Sequence, residues 1–237
     1  MNLSQLLSRV AVLTALFALT TAMDETGCES EDSANVVQSR VHQSYWLLYD
    51  AEQDVTYARA QFRLGNAVGT TLVLSDGATV AFDERAMGFN ELLDWHETSF
   101  AGQLPSGQFV YDDLNESRFA NVANLPGPVD VPSDFPAVLL RDGALELQWL
   151  GSPLGPGESL AVVIAQDANR FNFQRWETRE RGATSIVLDA QRMGRLPLGG
   201  AVITLRRWFE TTPDDTAEAG GVLRTTYQSE ERFFELR

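Results

Sequence analysis

The 237-residue chain is strongly acidic and also rich in apolar residues. It has 33 acidic and 18 basic residues, all of them arginines, for a net charge of −15, and 44% of its residues are hydrophobic. That apolar content supports a folded core, whereas so negative a surface repels nucleic-acid phosphates and anionic lipid head groups. One cysteine and two histidines exclude a disulfide framework and leave few groups for a zinc site or a His-dependent triad. Composition therefore argues against nucleic-acid binding and most enzyme classes.

The N-terminal 28 residues are predicted to be a signal peptide. Arg9 precedes a run of 13 residues without charge, residues 10–22. This run has the length of a signal-peptide core and is too short to span a bilayer. Cleavage after Ala22 would release a soluble protein, whereas lipidation of Cys28 would anchor it, although Glu25 stands where a lipidation signal has an apolar residue. The sequence thus predicts export to the periplasm, outer membrane or cell surface of a bacterium and leaves both processing outcomes open.

The next segments are predicted to be a flexible acidic tether, residues 29–39, and a first β-sandwich domain, residues 40–126. Within residues 56–64, Ala58, Ala60 and Phe62 alternate with polar side chains, which is typical of a half-buried strand. An Asp-Gly turn at residues 76–77 predicts a hairpin. Residues 89–96 are predicted to form a further strand, with a helical turn as the alternative.

A proline-rich linker, residues 127–136, is predicted to lead to a second β-sandwich domain, residues 137–237. Residues 125–136 contain four prolines, which a central strand does not tolerate. Short β-type runs then recur between turn signals, and only residues 189–196, which precede Pro197, have a helical pattern. The expected fold is all-β, with two tandem antiparallel immunoglobulin-like β-sandwich domains. "Immunoglobulin-like" describes the architecture alone, because the Cys…Trp…Cys spacing is missing.

Several strand-and-turn segments resemble an uncharacterised family of exported bacterial proteins, many of them lipoproteins. The segments that carry the resemblance are Tyr45–Tyr49, Asp54–Leu64, Thr70–Phe82, Leu147–Gly151, Pro153–Gly155, Ser185–Leu188 and Gly200–Arg206. The resemblance implies tandem immunoglobulin-like domains, a location in the cell envelope and no assigned activity. It also implies lipid attachment at Cys28.

The sequence contains no motif that predicts a catalytic residue, a metal site or a cofactor. Phosphate-binding glycine loops, HExxH and G-x-S-x-G are absent. His96 stands beside Glu97, but neighbouring side chains of a strand point to opposite faces, which favours a structural histidine over a dyad. Residues 112–116 offer oxygen ligands for calcium without the spacing of a calcium loop, which favours a solvated turn.

One segment of the second half, residues 170–176, mixes cations and aromatic rings. If it forms a strand, Phe171 and Phe173 are predicted to face the core. The alternative is a ligand-binding surface made by Arg170, Arg175 and Trp176, which would contact a glycan or an acidic protein. The five tryptophans are spread along the chain, and the sequence does not predict that they form one platform.

These observations predict an exported, non-catalytic protein of the cell envelope with a binding or structural role. Its expected partner is an unknown protein or a glycan, and it would touch a membrane only through a lipid on Cys28. Two alternatives are a carbohydrate-binding module that uses exposed Trp or Tyr together with Arg, and a hydrolase with paired carboxylates.

Overall fold

The computed structural model describes residues 30–237, so the predicted signal segment and Cys28 lie outside the described residues. The structure is 53% strand and 5% helix, which confirms the all-β prediction. Among the described residues, no helix is both long and apolar enough to cross a membrane.

Twenty strands and one short α-helix form the described part of the chain. The strands of the first half are β1 (Glu31–Asp32), β2 (Val41–Asp50), β3 (Val55–Leu64), β4 (Thr71–Val73), β5 (Thr79–Phe82), β6 (Arg85–Ala86), β7 (Gly88–Asn90), β8 (Trp95–Ala101), β9 (Ser106–Asp112) and β10 (Arg118–Asn124). Those of the second half are β11 (Val129–Asp130), β12 (Val138–Leu139), β13 (Leu145–Gln148), β14 (Leu150–Gly151), β15 (Glu158–Gln166), β16 (Phe173–Thr178), β17 (Ser185–Leu188), β18 (Gly199–Thr211), β19 (Gly221–Gln228) and β20 (Arg232–Leu236). Helix α1 spans Ala190–Met193, and 3₁₀ turns span Ser33–Asn35 and Gln38–Arg40.

A continuous sheet of twelve strands runs through both halves of the chain. Its main order is β1-β4-β3-β2-β19-β18-β15-β16, and β8, β7, β20 and β12 attach to it at the side. At its centre β2 pairs with β19 in parallel, over eight residue pairs that begin at Gln43–Gly221 and end at Asp50–Gln228. β1 with β4 and β12 with β20 are also parallel. The expected tandem antiparallel sandwiches are therefore replaced by two halves that share one mixed sheet.

Two hydrophobic cores lie side by side on one face of this large sheet. The first is covered by the sheet β10-β9-β5-β6 and is rich in fully buried rings, namely Tyr45, Phe62, Phe82, Phe109 and Tyr111. The second is covered by the pairs β13–β17 and β11–β14 and by residues of α1. Leu223 of β19 packs into the first core although it comes from the second half of the chain. The opposite face of the large sheet packs against neither core.

Two segments that were expected to be flexible connections are packed into the fold. In the predicted tether, β1 pairs with β4 and Ser33 is fully buried. The amide of Gln38 donates to the carbonyl oxygens of Ser33 and Val36 at 2.8 and 3.1 Å. In the predicted linker, Val129 and Val131 are each 1% exposed within the second core. Their acidic and proline-rich compositions indicate solvent exposure, but a few backbone pairs and buried side chains suffice to fix both segments.

Strand β16 has the opposite orientation to the one predicted. Phe171 precedes the strand and is 94% exposed, Phe173 is 50% exposed, and Trp176 is 2% exposed. Trp176 lies opposite Val162 of the fully buried face of β15, and its indole Nε1 donates to Asp189 Oδ2 at 2.9 Å. Because this partner satisfies the indole N–H, the larger ring takes the core position and the phenylalanines face solvent.

Candidate functional site

The face of the large sheet opposite the two cores contains an elongated groove of about 370 Å³. Its lining residues are Trp46, Leu48, Arg59, Trp95, Arg175, Arg206, Trp208, Arg224, Thr226 and Gln228. Four of these ten are arginines and three are tryptophans, and none is Asp or Glu. In a chain with almost twice as many acidic as basic residues this is a marked local reversal, and we call this feature the Arg–Trp groove.

Strand alternation places these side chains on one face. In β2, Trp46 lies between Tyr45 and Leu47, which are fully buried in the first core. In β18, Arg206 points to the groove while Arg207, the next residue, is 2% exposed on the core side. Successive side chains of a strand point to opposite faces, so each strand sends one set of residues to a core and the other set to the groove.

Strand register then aligns residues that are far apart in sequence. Arg224 of β19 lies opposite Glu210 of β18 and Trp46 of β2, and Trp46 lies opposite Arg59 of β3, which in turn faces Glu97 of β8. A row of five side chains therefore crosses five strands in the order Glu, Arg, Trp, Arg, Glu. The carboxylates stand at its two ends and the tryptophan at its centre.

The groove crosses the strands diagonally. It extends from Arg175 on β16 to Trp95 on β8, and the sheet order places seven strands along this path. With about 4.8 Å between neighbouring strands, the backbones of these two end strands are roughly 29 Å apart. The groove itself is shorter, because the guanidinium of Arg175 lies over Trp208 of β18.

Each of three groove arginines is held by a glutamate. Arg59 pairs with Glu97, and the Nη2 atom of Arg175 lies 2.9 Å from Glu177 Oε2. Arg224 Nε donates to Glu210 at 2.7 Å. These pairs orient the guanidinium groups and neutralise their charges locally.

Two of these arginines also cover tryptophan rings. The guanidinium carbon of Arg59 lies 4.6 Å from the ring centre of Trp95, and that of Arg175 lies 5.2 Å from that of Trp208. Trp208 is consequently only 8% exposed. Among the described residues no arginine stacks on Trp46, so this half-buried ring is the groove tryptophan that no guanidinium covers.

Arg206 is the exception among the groove arginines, because no ion pair within residues 30–237 includes it. Its side chain is exposed at the groove surface. Partial desolvation in the groove lowers the pKa of Arg206, the positive charge of Arg175 lowers it further, and Asp50 opposes both effects. Asp50 itself accepts a hydrogen bond from Gln228 Nε2 at 3.1 Å. Arg206 therefore presents a charged group that is free to bind an anion.

The structure brings one of the three predicted ligand-binding residues to the groove. Arg175 lines it. Trp176 belongs to the second core. Arg170 lies outside the groove lining, where its guanidinium pairs with Asp167 at 3.1 Å and Glu231 at 2.8 Å.

The sequence did not indicate that the other arginines and the tryptophans of the groove lie together. The sequence feature that could have identified these residues is the alternation of polar and buried residues within each strand. In β3 Arg59 alternates with Ala58 and Ala60, and in β2 Trp46 alternates with Tyr45 and Leu47. This signal assigns residues to a face of their own strand. The order of the strands, which brings the faces together, has no local signature.

The two other candidates for chemistry have structural roles. His96 is 5% exposed and packs against Phe62 and Phe89, and burial lowers its pKa. Glu97 points to the opposite face and binds Arg59, so the two do not form a dyad.

The acidic turn at residues 112–116 is organised by its own backbone. Asp113 Oδ1 accepts hydrogen bonds from the backbone N–H groups of Asn115 and Ser117, each at 2.8 Å. Within the described part of the chain, no group of three or more His, Cys, Asp and Glu side chains is arranged to hold a metal ion.

Comparisons with known proteins show no family. No protein family model and no curated protein matches the chain. Two similar solved structures come from adhesion proteins. One is a tetra-tandem repeat from the extending region of a large adhesion protein, with 12% identity, a TM-score of 0.25, and coverage of 81% of this chain and 49% of that chain. The other is from a 1.5-MDa bacterial ice-binding adhesin, with 10% identity, a TM-score of 0.20, and coverage of 80% and 63%. The chain thus spans less than two thirds of the length of either structure, and similarity at this level assigns no function to it.

Proposed function

We propose that the protein is an exported, non-catalytic carbohydrate-binding protein and that the Arg–Trp groove is its binding site. The observation that carries this proposal is that one groove without a lining carboxylate combines four arginines with Trp46, a tryptophan ring that no arginine covers. Indole rings offer flat apolar faces to the C–H faces of sugar rings, and guanidinium groups donate several hydrogen bonds to hydroxyl or carboxylate oxygens. A groove that offers both groups can stack on a sugar ring and hydrogen-bond to its substituents.

The groove favours this function over carboxylate-dependent hydrolysis. A glycosidase of that kind needs two acidic side chains that face the scissile bond. None of the ten lining residues is acidic, and Glu97, Glu177 and Glu210 each bind an arginine. A glycan held in the groove is therefore expected to be released unchanged.

A blocking substitution tests the binding site. Thr226 lies in the groove between Trp208 and Leu48 in the sheet register, so Thr226→Trp is expected to fill the groove without changing its charge. We expect the wild-type protein to bind specific members of a glycan array and Thr226→Trp to lose at least about tenfold in affinity, with the bound glycans recovered intact by mass spectrometry.

Val187→Trp is the matched control, because Val187 is 59% exposed on β17, outside the groove. It adds the same ring and is expected to bind like the wild type. Absence of glycan binding, or binding that survives Thr226→Trp, would contradict the proposal.

Export is a separate part of the proposal, and it rests on the uncharged run at residues 10–22 and on Cys28. We propose that the protein is displayed in the bacterial cell envelope by a lipid on Cys28. The intact mass of the membrane-bound form is expected to correspond to a diacylated or triacylated chain that starts at Cys28, and Cys28→Ala is expected to lose this mass. A chain cleaved after Ala22 with a free thiol would contradict the anchor.

A further inference from the structure

The charges of the groove are almost balanced, with one exception. Arg59, Arg175 and Arg224 are each paired with a glutamate, whereas Arg206 has no paired carboxylate among the described residues. A ligand meets one available positive charge rather than four. A carboxylate bound to Arg206 would form a bidentate, charge-assisted pair, which is stronger than a neutral hydrogen bond.

The rest of the molecule opposes a ligand with many negative charges. The chain has a net charge of −15, so a polyanion is repelled as it approaches, and only part of this repulsion is screened at physiological salt. A ligand with one negative group gains the contact with Arg206 at little electrostatic cost. The charge pattern therefore fits a ligand that carries a single carboxylate and is otherwise uncharged.

Trp46 and the charged Arg206 extend from well-separated positions on the sheet. Arg206 and Glu210 are four residues apart on β18, and Trp46 lies two strands from Glu210 in the same row. The strand rise and spacing place the backbones of Arg206 and Trp46 roughly 16 Å apart. Because the two side chains start from backbone positions this far apart, we expect a ligand that uses both to contain more than one sugar ring.

We propose that the groove binds an oligosaccharide with a single carboxylated sugar, whose carboxylate pairs with Arg206 while a neutral ring of the same chain stacks on Trp46. This inference rests on the proposed function and adds the chemical class of the ligand. Trp46 lies between Arg59 and Arg224 in the row, and both of these arginines are paired with the glutamates at its two ends, which leaves Arg206 as the arginine without an ion-pair partner.

The test uses pairs of glycans that differ only in the carboxylate. The full chain is titrated with sialylated and uronic-acid oligosaccharides, and with the same compounds after reduction of the carboxyl group to a primary alcohol. A hexagalacturonate, charged on every sugar, represents polyanions. We expect at least one singly carboxylated glycan to bind about tenfold more tightly than its neutral counterpart and than the hexagalacturonate.

Two variants assign the preference to residues. Arg206→Gln is expected to remove the tenfold preference for the carboxylate while binding of the neutral counterpart stays unchanged, and Trp46→Ala is expected to weaken both. Arg195→Gln, which changes the net charge equally at an exposed position outside the groove, is expected to change neither.

The outcomes separate this inference from the proposed function. Groove-dependent binding of neutral glycans, with no preference for the carboxylate or no effect of Arg206→Gln, would overturn the inference and leave the carbohydrate-binding function standing. Tighter binding of the hexagalacturonate would also overturn it. Binding that is insensitive to Trp46→Ala and Thr226→Trp, or no glycan binding at all, would overturn both.

Discussion

Replacement of Arg207 by methionine is expected to lower the free energy of unfolding by about 3–5 kcal/mol. Arg207 is 2% exposed and pairs with Glu158, whose side chain is 16% exposed. Its Nη1 atom donates to the carbonyl oxygen and the hydroxyl of Ser152, both at 3.0 Å, and its Nη2 atom donates to the carbonyl oxygen of Pro153 at 3.0 Å. The substitution leaves a mostly buried carboxylate and two backbone carbonyl groups without these donors.

Urea denaturation of wild type and variant measures this loss. Arg206→Gln is the matched control, because it removes the neighbouring arginine from the exposed face of the same strand and is expected to change stability by no more than about 0.5 kcal/mol. Removal of the carboxylate as well, in Arg207→Met with Glu158→Met, is expected to restore part of the lost stability, since the uncompensated charge disappears. A loss below about 1 kcal/mol for Arg207→Met alone would show that the ion pair does not hold the loop that contains Ser152.

Phe62→Ala is expected to destabilise the protein by about 3–5 kcal/mol and to lower its melting temperature by roughly 6–20 °C. Phe62 is fully buried at the centre of the first core, where its ring centre lies 4.5 Å from that of Tyr111 and 6.2 Å from that of Tyr45. Truncation leaves a cavity that these rigid aromatic neighbours cannot fill.

Thermal unfolding of the wild type and of Phe62→Ala also tests whether the two halves of the chain unfold together. The parallel ladder of β2 with β19, and the insertion of Leu223 into the first core, couple the cores. Calorimetry is therefore expected to show one transition in both proteins, shifted as a whole in Phe62→Ala. Phe171→Ala, at a residue that is 94% exposed, is the control and is expected to melt like the wild type. Two transitions, of which only one moves, would mean that the halves are independent domains.

The Asp-Gly turn at residues 76–77 does not form the predicted hairpin, because β4 pairs with β3 in the large sheet and β5 pairs with β9 in a second sheet. Local patterns in the sequence were sufficient for two other features. The alternation in residues 56–64 predicts the buried face of β3, on which Ala58, Ala60 and Phe62 are all fully buried. The helical pattern at residues 189–196 predicts α1, where Asp189 caps the N-terminus by accepting a hydrogen bond from the backbone N–H of Arg192 at 2.9 Å. Both are interactions within one element or its immediate flank.

Patterns failed where a residue's partner came from elsewhere in the chain. Phe171 and Phe173 are as apolar as core residues, but the acceptor for Trp176 is supplied by Asp189, which follows a separate strand. Residues 31–32 are acidic enough to suggest a tether, yet their backbone pairs with β4. Composition indicates the conformation and solvent exposure that a segment prefers in isolation. Tertiary contacts override such a preference when it is weak.

By itself the sequence determined the all-β class, the acidic surface and the set of residues that share a face within each strand, because alternation is a property of neighbouring residues. The Arg–Trp groove was decided only by tertiary structure. Trp46 and Arg224 become neighbours through a parallel ladder between strands from opposite ends of the chain. The stability of that ladder depends on the burial of both cores together, since long-range strand pairing must outweigh the entropy of closing the intervening chain.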